Sequence, residues 1–397
     1  MLRAGQLSAE MASRGHDVVW WTSGFDRVSR THLSPRTTEL QPAERFCIVA
    51  LRTTGYRSNI SPQRIVDHLV SAASFRWHCR SRERPDVILA AFPTPELAAA
   101  VLRYAKPRAI PVILDVRDLY PDGYYDSLAH LPSLLVRPAV APFAVLSRHV
   151  LADADALVGI SSDFLAWAHH NAGTTGNLLD TVIPLSYSPS PPENANSNQA
   201  LEALEASGVD LSGRSRIVWY LGSFNRLTDL EPVIAAAASI DKLGRDEIQF
   251  VFSGSGENES RYRELAKGLS NVVFTGWVDR QVADAMSLHA DLGLAPYIPA
   301  KTSAMGNKYS QYLSSGIPVL TFDAGEAGQF LEANACGEVY RRELESLDDQ
   351  LVRLLLDEEA LLMMGANAKK SYARKLTPQA MFDSFEELFG EMLKSRA

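Results

Sequence analysis

Short apolar runs alternate with helix-patterned stretches along nearly the whole chain, and the connections between them are brief. Strands that follow one another through helices must lie parallel, and a parallel sheet needs helices on both faces to bury it. In the first half, HDVVWWTS, PDVILAAF (85–92), IPVILDVRD (110–118), DALVGIS (155–161) and TVIPL (181–185) read as strands. Between them, residues 2–13 read as a helix ending at Gly15, TPELAAAVLRYA as a helix with Pro95 in its first turn, and SDFLAWAHH as a third.

The pattern then breaks. SYSPSPPENANSNQ (186–199) is polar, rich in Ser, Pro and Asn, and has no apolar period, so it reads as a linker. Alternation resumes with the strands RIVWYLGS (216–223), IQFVFSGSG (248–256), VVFTG (272–276), DLGLAPY (291–297) and IPVLTF (317–322). Helical stretches separate them, among them NKYSQYLSSG (307–316), and two more close the chain at roughly 344–374 and 378–394, broken at Pro378. With 397 residues the chain is too long for one core. The expectation is an α/β protein of two Rossmann-like, doubly wound domains: 1–185, a linker at 186–199, and 200–377, with the helix 378–397 packing back on the first.

Charge narrows the partners. Residues 1–180 hold 19 Lys and Arg, mostly arginines, against 17 Asp and Glu; residues 181–397 hold 20 against 30, for a net charge of −8. A nucleic-acid binder should be basic throughout, so none is expected as partner. The basic first half can face something anionic. Three cysteines, Cys47, Cys79 and Cys336, show no paired spacing, which excludes a disulfide scaffold and a zinc ribbon and fits a cytoplasmic setting. No membrane-spanning run of 18 apolar residues is expected, nor a signal peptide in MLRAGQLSAEMASRGHD.

RGHDVVWWTS, DVRDLYPD, the break before RIVWYLGS, VVFTGWV and NKYSQYLSSGIPVLTF followed by GE, in that order, resemble the bacterial GT-B glycosyltransferases. The group they look most like is the family-4 transferases of capsular and O-antigen polysaccharide. The resemblance spans nearly the whole chain. It implies two domains facing across a cleft and a nucleotide-diphosphate sugar donor held mainly by the C-terminal one. It also implies retention of configuration, a polysaccharide or lipid-linked glycan acceptor, and no metal or other cofactor. The leaving diphosphate then needs stabilisation from cations, backbone N–H groups and helix N-termini.

Lys308 is the leading candidate. It opens a helix, where the dipole repels a cation; a bound diphosphate would reconcile the two. Asn307 beside it is read as the helix cap. Arg226, in GSFNRLTDL after a strand, matches the family's basic loop residue, although the lysine that often follows is absent. Gly222 and Ser223 can bring backbone N–H groups to phosphate. Gly254 and Gly256, in SGSGENE, read as a strand-end turn beside the nucleotide; Glu259 spoils any dinucleotide fingerprint. By resemblance, TGWV (275–278) holds the base through its main chain, which makes Val278 a donor contact, while Trp277 reads equally as packing. Where the family carries E-x7-E, this chain has Ser303 and Gln311. Glutamine still accepts from ribose hydroxyls; serine does not replace a carboxylate.

On the acceptor side, Arg117, Asp118 and Asp122 end a strand, and Thr94 with Glu96 ends its neighbour. Asp118 also reads as a helix cap paired with Arg117, and Glu96 as a first-turn carboxylate. Asp153 and Asp155 form a DxD at the wrong end of a strand for metal binding, and His169–His170 fits dipole compensation. Residues 131–151 mix apolar residues with Arg137, Arg148 and His149, and Pro138 and Pro142 should break them. They read either as a surface for an anionic membrane or as a buried helix. Because the chain opens on a helix, the first sheet is expected to lack its usual first strand and Gly-rich loop. A start codon assigned too late would account for that, and the first domain would be the less stable. A sugar-nucleotide epimerase and a non-catalytic partner subunit are the alternative functions.

Overall fold

The computed structural model describes residues 3–26, 29–58, 61–128, 132–189, 198–298 and 304–395. The chain divides into two compact units, one running to Pro184 and taken up again from Met381, the other spanning Leu185–Ala380.

The first unit contains α1 (Arg3–Ser13), β1 (Val18–Ser23), the small β2 (Phe25–Asp26) and β3 (Thr31–His32), β4 (Thr38–Ala43), β5 (Phe46–Leu51) and α2 (Pro62–His78). It continues through β6 (Ile88–Phe92), α3 (Pro95–Ala105), β7 (Val112–Val116), α4 (Asp122–Ser127), α5 (Ser133–Asp153), β8 (Ala156–Gly159), α6 (Ser162–Ala172) and β9 (Thr181–Val182). Its strands form two larger sheets. One has the order β1–β5–β4, with β4 antiparallel; the other is parallel in the order β6–β7–β8–β9. β1 and β6 are edge strands, and among the described residues no ladder joins them. β5 (FCIVAL) is buried on both faces, so its apolar residues do not alternate with polar ones. Alternate residues of β7 serve two cores. Val112, Leu114 and Val116 pack with Phe75 and Leu102, whereas Ile113 packs with Leu7, Met11 and with Met381 and Phe385 of the last helix.

α5 corrects the sequence reading. Pro138 and Pro142 lie inside one 21-residue helix rather than breaking it. Among the described residues it is the one helix long and apolar enough to cross a membrane, and most of it is not buried. Leu134 and Leu135 are 83% and 66% exposed.

The second unit has one six-stranded parallel sheet: β10 (Arg216–Leu221), β11 (Ile248–Ser253), β12 (Val272–Gly276), β13 (Leu292–Ala295), β14 (Val319–Thr321) and β15 (Gly337–Val339). α7 (Asn198–Ala206), α8 (Glu231–Lys242), α9 (Glu259–Leu265), α10 (Arg280–Met286), α11 (Asn307–Ser315), α12 (Glu326–Ala333), α13 (Leu347–Leu356) and α14 (Glu358–Lys375) accompany it; α15 (Pro378–Lys394) closes the chain. The order β12–β11–β10–β13–β14–β15 reverses direction between β10 and β13. In open parallel sheets that switch point, at the carboxyl ends of the strands, is where ligands bind.

The stretch expected to be a linker is anchored at its start. The Tyr187 hydroxyl donates to Asp284 Oδ1 at 2.9 Å, and its carbonyl accepts from the Tyr372 hydroxyl at 2.6 Å. Residues 190–197 lie outside the described residues, and α7 already begins at Asn198.

Candidate functional site: a lysine at the switch point

β10 ends at Leu221 and β13 at Ala295, and the side chains just inside and beyond those ends converge on Lys308. Its Nζ lies 3.9 Å from the Tyr220 ring centroid and 4.9 Å from that of Tyr297. Among the described residues no carboxylate pairs with it and no hydrogen bond holds it. Desolvation depresses its pKa to about 7. A cation between two aromatic faces gains about 0.5–2 kcal/mol from the ring quadrupoles, which leaves most of its lost hydration uncompensated. It also opens α11, whose N-terminal amides point the same sign of charge outward. An anion is what this arrangement lacks.

The neighbouring backbone permits the arrangement. A Cβ on Gly222 would meet Lys308 Nζ at 3.2 Å, so glycine keeps the lysine's place open. A Cβ on Gly254 would lie 1.8 Å from the Gly222 carbonyl oxygen, and one on Gly256 2.5 Å from that of Phe224. These glycines let the loops after β10 and β11 touch, a steric role. Their amides do not all serve a ligand as the sequence reading supposed for Gly222: Gly222 N–H donates to Ser253 O at 3.0 Å, and Gly254 N–H to Gly276 O at 2.7 Å. The next amide, of exposed Ser223, has no protein acceptor among the described residues.

Other candidates fall into place around this centre or away from it. The cap of α11 is Gly306, extended at φ −67° and ψ 167°, and not Asn307, which is already the first helical residue. Gln311 sits half-buried one turn after Lys308, on the same side of the helix. Arg226 pairs with Glu257 at 3.3 Å on the surface, its side chain 74% exposed. Val278 is half-buried and packs into the core under β12, and Trp277 is exposed. Ser303 lies outside the described residues. The aromatic walls, Tyr220 and Tyr297, escaped the sequence reading; the only signal was a tyrosine within two residues of each strand's end.

In the first unit the acceptor-side candidates scatter. Asp122 accepts the Trp167 indole N–H at 2.7 Å, and Arg117 pairs with buried Asp115 at 3.4 Å rather than with Asp118. Asp115 is held on its other side by Arg3, at 3.3 Å. The Thr94 hydroxyl donates to the Pro93 carbonyl and leaves α3 without a side-chain cap. Asp118 remains accessible, yet surrounding protein raises its pKa while Arg64 pulls it down. Arg64 and His68 of α2 were missed, since the intervening loop gave no strand or helix end to place them. Asp153 pairs with Lys106, and Asp155 accepts the Val112 N–H, both as structural groups. His169 pairs with Asp180 at 2.8 Å.

A family model described as a glycosyl transferase 4-like domain matches residues 2–175, and one described as glycosyl transferases group 1 matches residues 215–357. A comparison with curated protein sequences gives no match. Among solved structures, the chain is similar to a sucrose-phosphate synthase from Thermosynechococcus elongatus (14% identity, 98% of this chain and 92% of that one, TM-score 0.70). It is similar to WaaG, a glycosyltransferase involved in lipopolysaccharide biosynthesis (16%, 96% and 94%, TM-score 0.59). It also resembles HepE from Anabaena, solved with UDP and glucose (15%, 87% and 86%, TM-score 0.59). The two family matches together cover most of both units, and these neighbours share the two-domain Rossmann-like GT-B fold: the chain belongs to the group 1 glycosyltransferases.

Proposed function

We propose that this glycosyltransferase moves a hexosyl or N-acetylhexosaminyl group from a UDP-sugar to a polysaccharide or lipid-linked glycan acceptor, with retention of configuration and without a metal. The observation that carries the reading is Lys308, an unpaired cation at the β10–β13 switch point between two aromatic rings. A UDP diphosphate seated there gives Lys308 its missing counter-charge, and the α11 N-terminus and the Ser223 amide add donors. Each charge-assisted bond is worth about 1.5–3 kcal/mol. HepE, a structural neighbour, was solved with UDP-glucose. Arg226, once free of Glu257, supplies a second cation, and Gln311 accepts from the ribose.

The chemistry is a substitution at the anomeric carbon. The bond from C1 to the β-phosphate oxygen breaks as negative charge grows on the diphosphate. The acceptor oxygen bonds C1 from the same face, and its proton passes to the departing phosphate. Lys308 stabilises the charge that grows, and no protein base is required. The pathway we propose is cell-surface polysaccharide synthesis, at the cytoplasmic face of the membrane.

The membrane surface belongs to the same reading. On α5, Leu134, Leu135 and Val145 are exposed beside Arg137 and Arg148, and α3 lies between α5 and α2. On α2, Trp77 is 75% exposed beside Arg76, with Arg80 just beyond the helix. Apolar residues flanked by arginines suit an anionic bilayer interface.

A thermal-shift panel of nucleotide sugars, run with and without EDTA, tests the donor. A UDP-sugar at 100 times its dissociation constant should add about 2.7 kcal/mol of stability whether or not EDTA is present. Strict metal dependence, or no shift with any diphosphate nucleotide, contradicts it.

A further inference from the structure

At the switch point the central ladder of the second sheet stops short. β10 and β13 are in register only at Val218 with Leu292 and Trp219 with Gly293, while the ladders on either side run on to Leu221 with Ser253 and Ala295 with Thr321. Rungs of a parallel ladder are evenly spaced. The Gly293 N–H donates to Pro318 O, away from β10, so the next rung would run from the Leu221 N–H to the Leu294 carbonyl. The Tyr312 hydroxyl of α11 occupies that place. Its oxygen accepts from the Leu221 N–H at 2.8 Å, and its proton goes to the Trp219 carbonyl at 3.1 Å, with the Leu294 carbonyl at 3.4 Å. The ring reaches so far because β13 carries a glycine: a Cβ on Gly293 would lie 2.6 Å from it. Tyr312, Trp219 and Leu294 are fully buried, so bulk water does not compete for these bonds.

The consequence falls on the lysine. Leu221 stands between Tyr220, whose ring faces Lys308, and Gly222, whose missing Cβ leaves the lysine its room. Tyr312 follows Lys308 by one turn of α11, on the same side of the helix. One helix thus carries both the cation and the group that fixes the strand end walling it. Without the hydroxyl, the Leu221 N–H regains the Leu294 carbonyl as its partner. The two strand ends then draw in to the ordinary spacing of about 4.8 Å, and the crevice between them narrows.

We propose that Tyr312 is a positioning residue for the donor: its hydroxyl, inserted into the β10–β13 ladder, holds the two strand ends apart and keeps open the crevice in which Lys308 meets the diphosphate. This rests on the reading of Lys308 as the diphosphate's partner. Tyr312 itself needs no contact with the donor.

Calorimetry of UDP and of uridine on the full chain tests it with two substitutions that each remove one buried hydroxyl and keep the ring. Tyr312→Phe should weaken UDP at least fivefold and leave uridine within twofold. Tyr309→Phe is the matched control. Tyr309 is as buried, on the same helix, but its hydroxyl bonds Thr321 of β14 at 2.8 Å and bridges no part of β10; both ligands should stay within twofold. UDP affinity unchanged in Tyr312→Phe, or a loss shared equally by both variants or by both ligands, overturns the proposal. Amide exchange in the wild-type protein, read by NMR, keeps it falsifiable should Tyr312→Phe fail to fold. The Leu221 amide should exchange at least a hundredfold more slowly than the Ser223 amide, and equal rates would mean that no hydroxyl holds Leu221. Wild-type protein that binds no UDP overturns instead the donor reading on which the proposal rests.

Discussion

The two units are built from the same strand–helix alternation, yet they reach different ends. The second closes one continuous six-stranded sheet whose inner strands are paired on both sides, and its switch point presents a single cation without a counter-charge. Among the described residues, the first leaves its sheet in two pieces, with β1 and β6 as unjoined edges, and buries Glu96 with no hydrogen bond at either oxygen. The lesson lies in what the second can hold. A lone cation under aromatic rings suits an anion.

The comparison breaks most readily at the glycines. Gly254→Ala forces a Cβ to within 1.8 Å of a backbone oxygen, at a φ of 149°. It should cost at least about 3 kcal/mol in denaturant unfolding of the second unit. A loss under about 1 kcal/mol would mean that the loops after β10 and β11 are not locked together.

Next comes the edge difference. Hydrogen exchange should protect β10 and β13 at least tenfold more than β1 and β6, because an edge strand opens without breaking a second ladder. Equal protection would mean that the split in the first sheet has no energetic consequence.

The parallel α/β class and the strands of the second unit were legible because RIVWYL, IQFVFS and VVFTG are short apolar runs bounded by turns. Lys308 was legible too, through its odd position at a helix start. What surrounds it was not: Tyr220 and Tyr297 meet the lysine only once β10 and β13 become neighbours, and no local pattern announces that pairing. Asn307 was misread as a cap because cap preference is a tendency of residue type, whereas the observed cap depends on where the backbone turns helical, at Gly306–Asn307. The prolines of α5 misled for a related reason. Proline forfeits one hydrogen bond each time, and packing against α3, α4 and α6 retains the helix.

A subtler separation comes from pH. Burial lowers the Lys308 pKa to about 7, from an ordinary 10.5. The unfolded chain therefore holds this proton between about pH 7 and 10.5 while the native protein does not, and over that window the lysine's contribution to stability improves as pH rises. UDP affinity should move the other way, falling between pH 7 and 9 as the free protein loses the proton, and Lys308→Arg should flatten that fall. An affinity independent of pH in both proteins would place the charge elsewhere. The smallest effect is expected at Arg226: breaking an exposed pair costs about 0.2–1 kcal/mol of stability, and Arg226→Ala should weaken UDP less than loss of Lys308 does. A larger loss would make Arg226 the principal phosphate ligand.

The central claim is that Lys308 meets the donor's diphosphate, and calorimetry of UDP and of uridine, with EDTA present, tests it most directly. Lys308→Ala should weaken UDP by at least tenfold, the equivalent of about 1.4 kcal/mol, while leaving uridine affinity within twofold of wild type. Equal weakening of both, or of neither, would contradict it and reduce Lys308 to a packing residue between two tyrosines.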